Sequence, residues 1–285
     1  VISYVTMAST GDATDFGDLT QAKTNVGCSG SFNRAVFLGG KNPGNGITDI
    51  DYVEFSSTGN AANFGDATAS IMSVSPTGNA TRSVFGGGYV APSWSNIISY
   101  LNPSSVGNAI DFGDLTQARL GAGGVCSPTR AVFVGGEAAG GSVVNTMDFV
   151  EIATTGDAVD FGDAVAGGYL HSGTSSSTRG VMGGGTPVTD VIGYITIASQ
   201  GNETDFGDLT VAAAGKGCVG NSKRAIWAGG FTPTKINVID YIEISNGGKA
   251  VDFGDLTAAI DTPSGASHAH GGLSEGYQGT RHTPP

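Results

Sequence analysis

Three features of the sequence predict an all-β protein: a six-bladed β-propeller of four-stranded antiparallel blades, the last blade closed by joining N- and C-terminal strands. A seven-residue motif is written six times, as "TDFGDLT" at 14–20, "ANFGDAT" at 62–68, "IDFGDLT" at 110–116, "VDFGDAV" at 159–165, "TDFGDLT" at 204–210 and "VDFGDLT" at 251–257. Its phenylalanines, Phe16, Phe64, Phe112, Phe161, Phe206 and Phe253, stand 48, 48, 49, 45 and 47 residues apart, a period that belongs to solenoids, arrays and propellers. Between the copies lie short strand-like runs, and no stretch sustains a 3.6-residue period.

Each unit reads as four strands. Upstream of the motif an alternating segment of β-branched and aromatic residues, such as "ITDIDYVEF" or "NVIDYIEI", has the period of a strand with one buried face. The motif itself enters a further strand. Downstream comes a small-residue run such as "TNVGCSGS", then a short hydrophobic strand that ends in paired glycines: "RAVFLGG" at 34–40, "RSVFGGG" at 82–88, "RAVFVGG" at 130–136, "RGVMGGG" at 179–185 and "RAIWAGG" at 224–230. Paired glycines permit positive φ and close backbone approach, so they read as turns. The small residues suit innermost strands that crowd around a central axis. The chain begins with an alternating strand and ends on the glycine-rich "DTPSGASHAHGGL", with no recognisable sixth Gly-Gly strand. Joining the ends is expected to complete the last blade and remove free sheet edges. Residues 1–273 are assigned to the propeller and 274–285 to a C-terminal tail, or to a degenerate closing strand through "EGYQG".

Composition excludes several functions. Glycine supplies 48 of 285 residues, and charged residues are 13% against a usual ~25%. The net charge is −12, with only 13 Lys plus Arg, so a phosphate backbone or an anionic membrane would be repelled. No apolar run reaches the ~20 residues of a membrane helix, and "VISYVTMAST" lacks the basic flank of a signal peptide. The chain does not begin with Met and is read as a processed product or the C-terminal part of a longer protein. Cys28, Cys126 and Cys218 lie far apart in similar small-residue runs, and are read as buried thiols rather than a disulfide or zinc framework.

The order of features, a strand ending in Gly-Gly, an alternating strand with Tyr-Val, a segment ending in Asp-Leu, then "QAK" at 21–23 or "QAR" at 117–119, resembles the Kelch repeat. The Kelch Trp is replaced here by the Phe of "DFGD". More specifically, "DFGDLTQAR…CS…TRAVF.GG…DYVEI" is similar to repeat proteins of marine tailed phages, regarded as virion structural or tail-fibre components. That resemblance implies a place on a particle and no chemistry.

Six copies argue against a catalytic role for Asp-Phe-Gly: a kinase needs one such loop, with partners that are absent here. The motif is read as architecture, with each Phe filling between sheets and Asp18, Asp66, Asp114, Asp163, Asp208 and Asp255 tying the turn. Arg34, Arg82, Arg130, Arg179 and Arg224 recur once per unit and are expected to pair with those aspartates; a ring of arginines around an axial anion is the functional alternative. The triplet Asp12/Asp15/Asp18, repeated as Asn60/Asn63/Asp66, Asn108/Asp111/Asp114, Asp157/Asp160/Asp163 and Asn202/Asp205/Asp208, offers oxygen ligands for Ca²⁺, with Asp12, Asp15, Asp157 and Asp160 the weak metal candidates. Lys249 takes the first position in the sixth copy. Asx turns explain the same residues without metal, and no cofactor is expected. His268 and His270 lack further ligands nearby in sequence.

The variable element is the loop after Gly-Gly, where binding residues concentrate on a constant scaffold. Tyr89 and Trp94 in "YVAPSWSN", and Phe231 in "FTPTKIN", are the candidate ligand contacts. The predicted function is a non-enzymatic virion structural or receptor-binding module (tail fibre, nozzle or capsid decoration), located in a virion or outside cells. Its expected partners are other virion proteins or a host surface glycan, engaged in many copies, with no nucleic acid and no membrane insertion. A free lectin is one alternative. A glycan-acting hydrolase or lyase is another, which needs acids that break the repeat pattern to converge on one face; Asp190, Glu137 and Glu203 are the candidates.

Overall fold

A computed structural model describes residues 1–273. It is all-β and propeller-like, with five antiparallel blades of four main strands, to which Lys41–Asn42 in blade 1 and Arg119–Leu120 in blade 3 each add a two-residue strand. Blade 1 comprises Gly27–Gly30, Arg34–Leu38, Asn45–Glu54 and Ala62–Ile71; blade 2, Ser75–Gly78, Ser83–Gly86, Ile97–Leu101 and Ile110–Asp114. Blade 3 comprises Gly123–Cys126, Arg130–Ala138, Ser142–Glu151 and Val159–Asp163; blade 4, Ser172–Ser175, Arg179–Gly183, Val191–Thr196 and Thr204–Asp208. Blade 5 comprises Gly217–Gly220, Arg224–Ala228, Ile236–Glu243 and Val251–Ile260. Within each blade the strands pair in chain order, from the small-residue inner strand to the outer "DFGD" strand.

The expected six-bladed, closed propeller is not formed. Among the described residues the N-terminal strand Ile2–Tyr4 pairs only with Thr14–Gly17, in a separate two-stranded sheet. The reason lies in the path of the chain after blade 5. Residues 264–267 run beside the innermost strands, where Ser267 Oγ donates to Gly220 O at 2.5 Å, but they form no ladder. The chain then turns across the axis instead of back toward Ile2–Tyr4. His270 Nε2 reaches Gly30 O at 2.7 Å, Gly272 lies against Gly78 O and Cys126 Sγ, and Leu273 is fully buried. A segment spent on plugging the axis cannot also supply the missing second strand. The closing strand expected from "EGYQG" lies outside the described residues.

What joins the units is the repeated motif. The Phe carbonyl of each copy accepts a backbone hydrogen bond from a glycine of the next unit: Gly59, Gly107, Gly156, Gly201 and Gly248 for Phe16, Phe64, Phe112, Phe161 and Phe206, and Gly11 for Phe253, all at 2.8–2.9 Å. The following Asp carbonyl accepts a second such bond, from Ala61, Ala109, Ala158, Glu203, Ala250 and Ala13 in turn. This outer belt passes through all six copies, although only five of them belong to the full blades. The motif glycine sits at a β-bulge between third and outer strands, as at Met147/Asp148, and in Gly113 has φ +148°. A Cβ there would collide with Gly156 O, so both conformation and space require glycine.

The Phe side chains seal adjoining sheets. Phe64, Phe112 and Phe161 are 2–3% exposed, and each meets the third-strand aromatic of its own blade edge to face, as Tyr100 and Phe112 do at 5.7 Å. Apolar clusters span neighbouring blades, for example Val84 and Ile98 of blade 2 with Ala131 and Phe133 of blade 3. The two that flank the two-stranded sheet are the thinnest: Cys28, Ala35, Phe37 and Val53 are the buried members on the blade 1 side, with Ile2, Phe16 and Leu19 half-buried, and Ile226, Ile239 and Phe253 are those on the blade 5 side.

Replacing Gly113 by Ala, or Gly254 by Ala at φ +150° against Gly11 O, is expected to cost about 3 kcal/mol of stability. Gly123→Ala, whose Cβ would find only ordinary contact at 3.4 Å, should cost less than about 1 kcal/mol. Urea unfolding of the three variants checks the belt; a Gly254→Ala as mild as Gly123→Ala would mean that the N-terminal sheet is not fastened to blade 5.

Candidate functional site

The repeated arginines are placed differently from expectation. None forms an ion pair with an "FGD" aspartate among the described residues, and none lines the axial cavity. Each guanidinium lies over the aromatic ring of the third strand in its own blade, 4.6–4.7 Å from the centroid, from Arg34 on Tyr52 to Arg224 on Tyr241. Each also donates to a carbonyl just past the third strand of the next unit: Pro103, Ile152, Ile197, Ile244 and Met7 in turn. Arg34, Arg130 and Arg224 add Glu54, Glu151 and Glu243 at 2.6–2.9 Å. These carboxylates are 41–48% exposed, so the ion pairs themselves contribute little. The arginine acts chiefly as a cation on a ring and a donor between blades.

The charges that are buried were not foreseen. Lys23–Asp51, Arg119–Asp148 and Lys216–Asp240 are ion pairs of 2.9 Å whose side chains are wholly inaccessible. The aspartates hold one register position, opposite Asn63, Asp160 and Asp252. The same position carries Ser99, Gly193 and Ser3 in the intervening units, so the pairs occur in blades 1, 3 and 5 only. In each, a threonine of the incoming "DLT" donates to the carboxylate: Thr20 at 2.7 Å, Thr116 at 2.6 Å, and Thr210. In blade 4 the side of Gly193 is filled by the Glu203 carboxylate, which accepts the Val165 N–H at 2.9 Å, as Asp148 accepts that of Thr116. Burial raises the Glu203 pKa, and the Val165 bond opposes it. Burial lowers the Arg119 pKa against the pull of Asp148, and its Nε and Nη1 have no acceptor among the described residues. Charges without solvent access carry blade geometry, not ligand binding.

Along the axis a cavity of about 160 Å³ runs between the inner strands. At one end Cys126 Sγ stands 3.5 Å from His270 Nδ1. Burial raises the Cys126 thiol, but the charge and hydrogen bond of His270, with hydrogen bonds at Gly78 and Thr77, bring it to about 7. His270 is lowered by burial but raised overall by Cys126 and the Gly30 carbonyl. Both shifts favour a thiolate–imidazolium pair, whereas Gly272 N–H donating to Nδ1 at 3.1 Å requires that nitrogen unprotonated. The hydrogen-bond geometry decides for the neutral Nε2–H tautomer, with the thiol as donor. Cys126 is 5% exposed and lies against Gly272; the contact fastens the plug. Cys28 and Cys218 are buried thiols whose pKa values burial raises.

The loops after Gly-Gly share one backbone position. The residue directly following the glycines is held by a bridge to the incoming chain: Lys41 to Thr24, Tyr89 to Met72, Thr186 to Tyr169 and Phe231 to Ala214, and Glu137 to Leu120. Tyr89 pairs with Trp94 across a two-residue ladder, their rings edge to face at 5.8 Å. The Trp94 indole N–H is shielded and has no acceptor among the described residues. Phe231 is 45% exposed.

The calcium candidates are engaged in the belt. Asp12 Oδ1 accepts from Asp255 N, and Asp157 Oδ1 from Asp114 N, both at 3.1 Å; Asn60, Asn108 and Asn202 do the same for Asp18, Asp66 and Asp163. Asp15 and Asp160 are exposed. Among the described residues no three His, Cys, Asp or Glu side chains cluster as a metal site. Of the acids outside the repeat, Glu137 lies in blade 3, Asp190 is exposed before the third strand of blade 4, and Glu203 is buried against Gly193. No hydrogen bond links any two of them among the described residues. No family model and no curated protein matches this chain.

Arg119→Met leaves Asp148 buried without a counter-charge and is expected to cost about 3–5 kcal/mol. Adding Asp148→Leu should recover most of it, as denaturant titration of the single and double variants will show. His171, packed against Gly168 and Gly185, is held neutral by burial with its pKa lowered to about 4. The unfolded chain therefore takes up a proton near 6.5 that the fold refuses. Stability from this residue is complete above pH 6.5 and falls away as pH drops toward 4, by at most about 3 kcal/mol. Unfolding curves from pH 7.5 to 4 should flatten over this window in His171→Phe relative to the native protein.

Proposed function

We propose that the chain is a non-catalytic binding module that contacts a surface glycan through the loops following Gly-Gly. One observation carries this reading. A single backbone position, fixed by the same bridge in five blades, bears Lys41, Tyr89, Glu137, Thr186 and Phe231, five chemistries on one scaffold that otherwise repeats its residues. Positions that serve the fold repeat, as the motif Phe does; a position free of that duty and held in register is suited to recognition. Tyr89 and Trp94 provide aromatic surface of the kind that packs on sugar rings. The resemblance of the repeat to virion structural proteins supports a setting in which many copies act together, so that weak single contacts sum to avidity.

A glycan-array screen of the purified protein beside Trp94→Ala and Tyr89→Ala tests the proposal. Binding is expected for the native protein and should fall at least about tenfold in either variant, with little change in melting temperature. Folded protein that binds no glycan, or variants that bind as the native protein does, would overturn it.

A further inference from the structure

A cavity of about 660 Å³ opens between the Ile2–Tyr4 strand and residues 264–269. We propose that it is a strand-acceptor site, which takes one extended segment of the pattern Arg-Ala-Val-Phe-x-Gly-Gly donated by a different protein. This goes beyond the loop-face reading and is independent of it.

The blades themselves supply the template. In all five, a strand of this type lies between the inner strand and the alternating strand, as Arg34–Leu38 lies between Gly27–Gly30 and Asn45–Glu54. At the cavity both neighbours are in place and the strand between them is not: among the described residues Ile2–Tyr4 pairs on one side only, with Thr14–Gly17. An unpaired edge beside an apolar hollow is what β-augmentation uses, with main-chain bonds giving affinity and side-chain pockets giving specificity.

Two further features specify arginine at the start of the donated strand. Tyr4 occupies the register position of Tyr52, Tyr100, Phe149, Tyr194 and Tyr241. Each of those rings carries the guanidinium of its own blade. Tyr4 meets Phe16 edge to face like the others, but it is 43% exposed and bears no cation among the described residues. Each arginine also reaches a carbonyl just past the third strand of the next unit. For this slot the corresponding group is that of Phe55, which lines the cavity. The donated Val and the residue after Phe would meet Ala35, Phe37 and Val53, which line the cavity, as Val132 and Val134 of blade 3 pack with Met182 and Ile195 of blade 4.

The test is titration of the full chain with a fluorescent peptide of residues 128–138, PTRAVFVGGEA, followed by hydrogen exchange. One-to-one binding in the roughly micromolar range is expected, with amides of residues 2–8 slowed and those of the five blades unchanged. The peptide with Arg replaced by Met should bind about tenfold more weakly. The Tyr4→Ser protein should lose a similar factor for the native peptide and gain nothing further from the peptide change. The proposal is overturned if no saturable binding occurs, if neither substitution alters affinity, or if protection appears in the blades instead. It is also overturned if deleting residues 274–285 is needed before the peptide binds, which would make the chain's own segment the occupant. Protection of residues 2–8 that grows with protein concentration alone would make a second copy of this chain the occupant, and would overturn donation by a different protein.

Discussion

The structure depends on the pair of backbone hydrogen bonds by which each Asp-Phe-Gly-Asp segment holds the next unit, from Gly59 on Phe16 through to Gly11 on Phe253. A four-stranded sheet of about 45 residues buries too little on its own; it becomes stable by being stacked. The motif does this in one place. Its glycine allows a neighbouring carbonyl to come close, its Phe seals the seam, and the Asp or Asn of the following unit accepts the N–H of the second Asp. Because these contacts join unit to unit, every copy is under the same constraint, and the sequence repeats.

Inside the belt the chain alternates. Blades 1, 3 and 5 bury an aspartate with a lysine or arginine and a threonine, and the intervening units put serine or glycine at that position. Such a pair adds little net stability, because desolvating both charges offsets their attraction. What it does is define orientation, since the carboxylate has a stated donor on each side. The cation itself is not conserved in position: Lys23 and Arg119 follow their motifs by the same interval, whereas Lys216 comes three residues later and arrives at Asp240 all the same.

Blade number and site are both settled by the C-terminal path. Once residues 268–273 cross the axis, with His270 on Gly30 and Leu273 buried, the N-terminal strand has one neighbour among the described residues. Among the described residues the molecule thus has a constant belt, a plugged axis and two places where the repeated contacts stop: the ring of loop positions, and the edge beside Ile2–Tyr4.

The sequence by itself determined the all-β class, the unit length, the order of strands within a blade and the location of the variable loops. These follow from local rules: period-two alternation, paired glycines, and a motif whose spacing is read directly. Only the tertiary structure decided that there are five full blades, that arginines face tyrosine rings rather than motif aspartates, and that Lys23 meets Asp51 and Cys126 meets His270. Each of these joins residues that are distant along the chain: 28 residues for the ion pair and 144 for the thiol and imidazole. The alternation of Asp with Ser or Gly was present in the letters, but it has meaning only once the register puts those residues at one buried position. The crossing of the axis left no local signal either, because "SHAHGGL" is as small and flexible as the inner strands it departs from. Which way such a segment turns is set by what it packs against, and a sequence does not contain its own neighbours.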